Sequence, residues 1–164
     1  MARIVYFAFH YRDVASFRAN VVRNSWVTKP DREEAGFFDA SLWEEAKKKD
    51  DDAIKRMINN ALEGTSVTVV LIGAETSGRK WVKYEIKKSH ERGNGLLGVY
   101  IHNIKDKDNR TDKKGDKLFG EIDKDKDGNS VYFWQLYPIY DWVDDDGYNN
   151  LGDWVEKAAK KAGR

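Results

Sequence analysis

The chain contains no cysteine, which excludes disulfide bonds, thiolate nucleophiles and thiolate metal sites. It has no apolar run near the roughly 18 residues that a membrane-spanning helix needs. It also lacks an excess of charge, because 29 basic residues face 28 acidic ones. Neither nucleic acid nor a membrane surface is therefore an expected partner. The beginning of the chain does not resemble a signal peptide, and a cysteine-free composition fits the reducing cytoplasm, where we expect the protein to act.

What the chain does contain is a balanced globular composition. Of its 164 residues, 35% are charged and 40% are hydrophobic. This length predicts one domain covering residues 1–164, with a sizeable core. The sequence also has six tryptophans, eight tyrosines and seven phenylalanines, which we interpret mainly as packing residues.

Short apolar runs alternate with segments of helical periodicity. We predict strands at residues 3–9, 36–40, 67–73, 96–102 and 131–134. Helices are predicted at residues 14–24, from Asp51 or Asp52 to Leu62, from a cap at Thr76 or Ser77 to residue 92, and at residues 149–161. The side chains expected to face the core are Val14, Phe17, Val21 and Val22 in the first helix, Ile54, Met57, Ile58 and Leu62 in the second, and Leu151, Trp154, Val155 and Ala158 in the last. Residues 28–36 and the charge-rich residues 103–129 are interpreted as loops. Strands that alternate with helices indicate a three-layer α/β sandwich with a parallel sheet.

The helix that follows the third predicted strand carries Trp81 and Glu85. Residues four apart are neighbours on one helical face, so an aromatic ring stands beside a carboxylate. Val82, Ile86 and Ser89 share the stripe that should press on the sheet. Glu85 would lie at the margin between core and solvent, where only Lys88 could fold back to pair with it.

Six segments are distinctive in residue identity, namely residues 7–11, 22–26, 39–44, 79–86, 98–103 and 140–149. Together they resemble the TIR-like ThsB proteins of Thoeris antiphage systems. Residues 79–86 resemble the Trp-x-x-x-Glu helix of TIR domains that cleave NAD. The likeness spans nearly the whole chain, and the charged residues 106–130 are the main departure. It implies a flavodoxin-like, TIR-like α/β fold with a central, mostly parallel five-stranded sheet in the order 2-1-3-4-5.

The resemblance also implies a function. TIR enzymes break the bond between nicotinamide and ribose in NAD, and the Thoeris members close the product into a cyclic ADP-ribose isomer. That molecule then activates a separate effector as an infection signal. NAD is the substrate, so no cofactor or metal is implied. Self-association and a phage-derived trigger are further expected interactions.

By the same resemblance, Glu85 takes the catalytic role. The residues that would contact substrate are Phe9, His10, Tyr11, Arg12, Asp39, Trp43 and Trp81. Nicotinamide leaves as a neutral base while positive charge builds on the ribose, so a carboxylate can stabilise the transition state. Closing the ring requires a nucleophilic group of the same molecule to be held in place before water reaches the ribose.

Each of these residues also has a structural interpretation. Glu85 could be a surface charge, and Trp81 could cover the edge of the sheet. His10 could be an ordinary loop histidine. Arg12 could bind a phosphate, or pair with Asp13 or another carboxylate.

Other sites are disfavoured by their spacing. Residues 123–128 match the first half of a calcium loop, but Trp134 occupies the position that needs a bidentate carboxylate. The three histidines are too scattered for a zinc site. No glycine-rich fingerprint follows the first strand, which argues against hydride transfer on a Rossmann fold. A response regulator would need clustered acids there, and only Asp13 is present.

Two hypotheses from different classes remain, with a third behind them. The first is an NAD-consuming signalling enzyme, and the second is a TIR-like interaction module without catalysis. Glu85 beside an aromatic ring favours the enzyme, because an adaptor has no need for this pair. The third is an enzyme like the nucleoside deoxyribosyltransferases, which also use a glutamate on a similar sheet.

Overall fold

The computed structural model describes residues 3–35, 46, 48–117 and 119–164. The strands within those residues are β1 (Arg3–Ala8), β2 (Arg32–Ala35), β3 (Val67–Ile72), β4 (Gly95–Tyr100), β5 (Glu121–Lys124), β6 (Ser130–Tyr132) and β7 (Ile139–Asp141). The helices are α1 (Arg12–Ala15), α2 (Arg18–Val27), α3 (Asp51–Leu62), α4 (Lys80–Glu91), α5 (Phe133–Leu136) and α6 (Gly147–Lys161).

Five strands form one parallel sheet in the order β2-β1-β3-β4-β7. The expected order and the parallel arrangement are both confirmed, with β7 as the fifth strand. Every residue of β3 is buried, as its central place requires. The sheet brings the loops after β1, β3 and β4 to one edge, where parallel α/β sheets bind ligands.

The side chains of β1 divide between two cores on opposite faces of the sheet. Val5 and Phe7 belong to the core that α2 and α6 cover. Tyr6 and Ala8 belong to the core that α3 and α4 cover. This alternation, which follows from the two-residue period of a strand, produces the three-layer sandwich.

Helix α3 confirms its predicted start, stripe and end within a residue. The side chain of Asp50 caps it by accepting a 2.8 Å hydrogen bond from the Ala53 amide. Ile54, Ile58 and Leu62 of the predicted stripe are buried. Gly64 follows with φ of 80°, the left-handed conformation that favours glycine after a helix.

The interpretation of residues 28–36 as a loop was wrong. Residues 32–35 form β2, although residues 28–36 were interpreted as a loop, and the predicted strand at 36–40 lies outside the described residues. Within the described part of the chain, β2 pairs with β1 alone, and its residues are half-buried or exposed. Such an edge strand accommodates the charges of Arg32, Glu33 and Glu34, so it lacks the apolar pattern of a buried strand.

The predicted last strand at residues 131–134 was also wrong. Residues 130–132 pair antiparallel with β5 in a separate two-stranded sheet, and the chain then turns into α5. The interpretation of residues 103–129 as loop missed β5, whose sequence Glu-Ile-Asp-Lys has a single apolar residue. The fifth strand of the main sheet is the three-residue β7, which is too short to show a pattern.

The first predicted helix is divided in two. Phe17 adopts a left-handed conformation, φ 66°, between α1 and α2. This break shifts the helical phase, so Phe17 and Val21, which were expected to face inward, are 53% and 40% exposed. Val22 is buried as expected, and Trp26 fills the core beside it.

The terminal helix α6 begins two residues earlier than predicted, at Gly147. A side chain there would collide with the Trp142 ring, because a Cβ would lie 2.2 Å from it. Leu151, Val155 and Ala158 are buried as expected. Among the described residues, none of the helices combines the length and apolarity that crossing a bilayer requires.

Candidate functional site

A charged groove of about 680 Å³ lies where the loops after β1 and β3 meet. His10 and Arg12 line it, as the sequence predicts for the loop after β1. Arg12 pairs with Glu75 from the loop after β3 at 2.7 Å, the second of its predicted alternatives. Neither Phe9 nor Tyr11 belongs to the lining of this groove. Phe9 packs against the α2 and α6 core, while Tyr11 is 62% exposed.

Asp13 is a feature of this groove that sequence reasoning missed. Its side chain is buried, and that burial raises the pKa of the carboxyl to about 7, against the opposing attraction of Arg18. Asp112 and Glu75 raise the pKa further. In the sequence Asp13 is an isolated acid, because Asp112 and Glu75 are distant along the chain and come close to it only in the folded structure.

Glu85 lies deeper than the sequence indicates. Helix α4 buries Val82, Ile86 and Ser89 as predicted, but Glu85 is buried with them at 3% exposure. Lys88, the one residue that could have folded back to pair with Glu85, pairs instead with Glu91, at 3.3 Å between Nζ and Oε2. The predicted position at the margin of the core is therefore corrected to the interior.

Burial determines the protonation of Glu85. Removal of water raises the pKa of the carboxyl from its usual 4.5 to about 8. The hydroxyl of Tyr6, on the facing strand β1, lowers this pKa as a donor toward the carboxylate. The contact lies outside standard hydrogen-bond geometry, and the hydroxyl has no other partner among the described residues. At neutral pH the carboxyl is therefore mainly protonated in the free protein.

Trp81 lies one turn before Glu85 but contacts a different surface. Its half-buried ring meets the edge of Tyr84 at a centroid distance of 5.6 Å, and Lys80 Nζ lies 4.8 Å from its centroid. The ring lines a groove of about 530 Å³ together with Lys55 of α3. Glu85 lines neither this groove nor the one with His10, so the described residues do not bring the three into one cavity.

The start of α4 differs from the prediction. Neither Thr76 nor Ser77 caps the helix, which begins after Arg79 without a side-chain cap. Thr76 instead accepts a 2.9 Å hydrogen bond from the Gly73 amide, which closes the turn after β3. Two further predicted contact residues, Asp39 and Trp43, lie outside the described residues.

The calcium-like segment forms a hairpin turn between β5 and β6. Asp125 uses a carboxylate oxygen to accept the amides of Asp127 and Asn129, both at 2.9 Å. The described part of the chain holds no cluster of three or more His, Asp or Glu side chains arranged for a metal.

Sequence comparison decides the family. The model of the family described as Thoeris protein ThsB, TIR-like domain, matches residues 6–106, from β1 through β4 and into the following loop. The chain belongs to this family. The TIR-like match includes the loop with His10 and Arg12 and the whole of α4 with Glu85, so the predicted resemblance is confirmed.

A ThsB relative extends the match to nearly the full length. It is a protein of Bacillus cereus (strain MSX-D12) named "Putative cyclic ADP-D-ribose synthase ThsB1". The two sequences are 42% identical over an alignment that is 191 positions long and covers 94% of this chain and 100% of that protein. Because 94% of the chain is covered, the alignment extends well beyond the family match at residues 6–106.

Proposed function

We propose that this ThsB-family chain cleaves NAD at the bond between nicotinamide and ribose and closes the product into a cyclic ADP-ribose isomer. The product would be the antiphage signal that a separate effector reads in the cytoplasm. The relative's name and the near full-length match support this proposal. The observation that carries it is Glu85, a carboxyl buried on the helix after β3. An interaction module gains nothing from burying an ionisable group away from its surface.

Glu85 would act on the ribose. When the bond to nicotinamide breaks, both electrons leave with nicotinamide, which departs as a neutral base and needs no proton. The ribose carbon becomes positive, and a carboxylate beside it stabilises that charge most strongly in a site that excludes water. A nucleophilic atom of the same molecule then supplies the electron pair for the new bond and releases its proton, if it carries one.

The raised pKa of Glu85 fits a site that ionises when substrate arrives. The nicotinamide ring of NAD carries a positive charge before the bond breaks. A cation beside a buried carboxyl favours the ionised form, so bound NAD would offset the cost of burial. Tyr6 would assist by donating toward the carboxylate that forms.

The other predicted residues would position the substrate. Arg12 carries its charge at the rim of the groove with His10, where a phosphate could replace Glu75 as its partner. Trp81 offers a partly exposed ring that could stack on a base. Asp39, Trp43, Phe9 and Tyr11 remain proposed contacts, and self-association or a phage-derived trigger could complete the site.

The direct experiment incubates purified protein with NAD and separates the products by chromatography. The same incubation is repeated in lysate from phage-infected cells, so that an enzyme awaiting its trigger is also detected. We expect nicotinamide and a cyclic ADP-ribose isomer in equal amounts. Glu85→Gln should abolish both, while Glu91→Gln, on the exposed face of the same helix, should retain them.

The alternatives predict different results. A non-catalytic interaction module releases no nicotinamide under either condition. An enzyme like the deoxyribosyltransferases exchanges free bases on deoxynucleosides. Product formed by Glu85→Gln at the wild-type rate would remove Glu85 from the mechanism.

A further inference from the structure

A second groove lies at the opposite edge of the sheet from His10 and Arg12. It encloses about 670 Å³ beside the amino ends of β4 and β7, where Leu96 and Pro138 contribute to its lining. The ends of α4 and α6 border it. Its volume is within the 300–1,000 Å³ typical of small-molecule sites.

Aromatic rings form the walls of this groove. Trp134 is 43% exposed, although large apolar side chains are normally covered. Tyr140 and Trp154 stack face to face, with ring centroids 4.1 Å apart and an interplanar angle of 4°. Lys117 Nζ lies 4.9 Å from the centroid of the Trp134 ring. A partly exposed indole that lines the same groove as a stacked aromatic pair is suited to a planar ring.

The rim of the groove is positively charged. Lys157 and Lys161 stand one turn apart on α6, and both line the groove. Lys161 Nζ already donates to the Leu136 carbonyl at 3.3 Å, so its position is partly set. No aspartate or glutamate occurs among the described residues of the lining. Two ammonium groups without a facing acid favour an anion.

One residue of the groove lining carries an unsatisfied acceptor. Asn94 is 2% exposed, and its Oδ1 has no hydrogen-bond partner among the described residues. The orientation of the amide is fixed, because Thr65 Oγ1 donates to the Leu62 carbonyl at 2.6 Å and so must accept from Asn94 Nδ2, at 2.9 Å. Buried acceptors are nearly always paired, so an N–H group of a ligand that reaches Asn94 would satisfy Oδ1.

We propose that this groove binds a nucleotide, with the base against Trp134 and the phosphate at Lys157 and Lys161. The three features together select this class: a planar wall, two ammonium groups at the rim and an acceptor for an N–H group of a base. The site is separate from the proposed NAD-cleaving site, since it lies at the amino ends of the strands. A concave groove with a buried acceptor also suits a small molecule better than a protein surface.

The test is calorimetric titration of the full chain with AMP, adenosine and inorganic phosphate. AMP has no nicotinamide bond to cleave, so binding is measured independently of any NAD-cleaving activity. We expect saturable AMP binding, with adenosine and phosphate at least tenfold weaker because each lacks half of the contacts. Trp134→Ala and the double variant Lys157→Met/Lys161→Met should each weaken AMP binding at least tenfold.

Two controls separate this groove from the rest of the surface. Lys160→Met makes the same charge change on α6 outside the lining, and Tyr148→Ala removes an exposed ring of the same helix that is also outside the lining. Both variants should bind AMP like the wild type. Thermal melting verifies that each variant is folded. Absence of saturable AMP binding at millimolar concentration overturns the proposal, as does equal affinity in folded Trp134→Ala. It is also overturned if Trp134→Ala dissociates a dimer in sedimentation, because the groove would then hold a second copy of the chain.

Discussion

Thr68 and Ser89 share a buried hydrogen bond of 2.7 Å that joins the central strand β3 to the helix α4. Ser89 donates in turn to the backbone carbonyl of Glu85 at 2.7 Å. Because Ser89 uses its proton there, Thr68 must be the donor in the shared bond. The helix that carries Glu85 is thus held against the sheet by a directed polar contact as well as by apolar packing.

Ser89→Ala should therefore destabilise the protein by about 1–2 kcal/mol, because the Thr68 hydroxyl loses its buried acceptor. Urea denaturation measures the change. Ser89→Ala in a Thr68→Val background should cost less, since no buried hydroxyl is then left unpaired. Equal costs in the two backgrounds would show that the shared hydrogen bond does not stabilise the helix.

The stability of the protein should fall as pH rises because of Glu85. Its pKa is about 8 in the folded chain against 4.5 ordinarily, so the unfolded chain ionises first. The contribution of Glu85 to the free energy of unfolding is fully present below about pH 4.5 and is lost as the pH rises to about 8.

Glu85→Gln removes this pH dependence. Its free energy of unfolding relative to that of the wild type should therefore rise by a few kcal/mol from pH 5 to pH 8. Denaturation at both values measures it. Asp13→Asn should remove a smaller part of the pH dependence of stability, confined to pH values below about 7, because the pKa of Asp13 is also raised. Glu91→Gln should keep the wild-type slope. A Glu85→Gln curve parallel to the wild type would contradict the raised pKa.

The rate should depend on pH in the opposite sense. If ionised Glu85 is the working form, kcat/KM for NAD should rise about tenfold per pH unit below pH 8 and level off above it. Rates of nicotinamide release between pH 6 and pH 9 measure this profile. A rate that is flat or falls over that range would exclude the ionised carboxyl as the form that reacts with free NAD.

Trp81→Ala should weaken NAD binding more than it lowers stability. Loss of ring stacking predicts a rise in KM of about tenfold, whereas the half-buried ring contributes only part of the packing between α3 and α4. Steady-state kinetics and melting temperatures are compared with those of Tyr84→Ala, which loses its hydrogen bond to Asn59 in the same groove. Matching losses of activity and melting temperature in Trp81→Ala would identify the ring as purely structural.

Gly73 and Gly78 form a matched pair in the loop between β3 and α4. A Cβ on Gly73 would lie 2.4 Å from the buried Asp13 carboxylate, whereas one on Gly78 would meet nothing within 4 Å. Gly73→Ala should cost about 1–3 kcal/mol, as overpacking does. Gly78→Ala should change stability by less than about 0.5 kcal/mol. Chemical denaturation of both proteins checks this, and equal values would mean that Asp13 can move aside freely.

Local sequence patterns were enough to locate the strands and helices whose own apolar residues predict that they are buried. The apolar run of β3 predicts a central strand, because only a strand covered on both faces can bury every side chain. The apolar stripe of α3 is likewise a local pattern. The family resemblance rests on residue identity along the chain, and the matching residues assign Glu85 a role without any knowledge of its neighbours.

The amino-acid sequence by itself thus determined the fold class, the strand order expected of it and the family. Only the tertiary structure decided how deeply Glu85 is buried and which charged groups surround Asp13. Burial and pKa depend on side chains that are distant in sequence, such as Tyr6 and Asp112. The tertiary structure also decided the register of the edges, where β2 and β7 are too short or too charged to show a period. Those segments are strands because they pair with β1 and β4, which are distant in sequence.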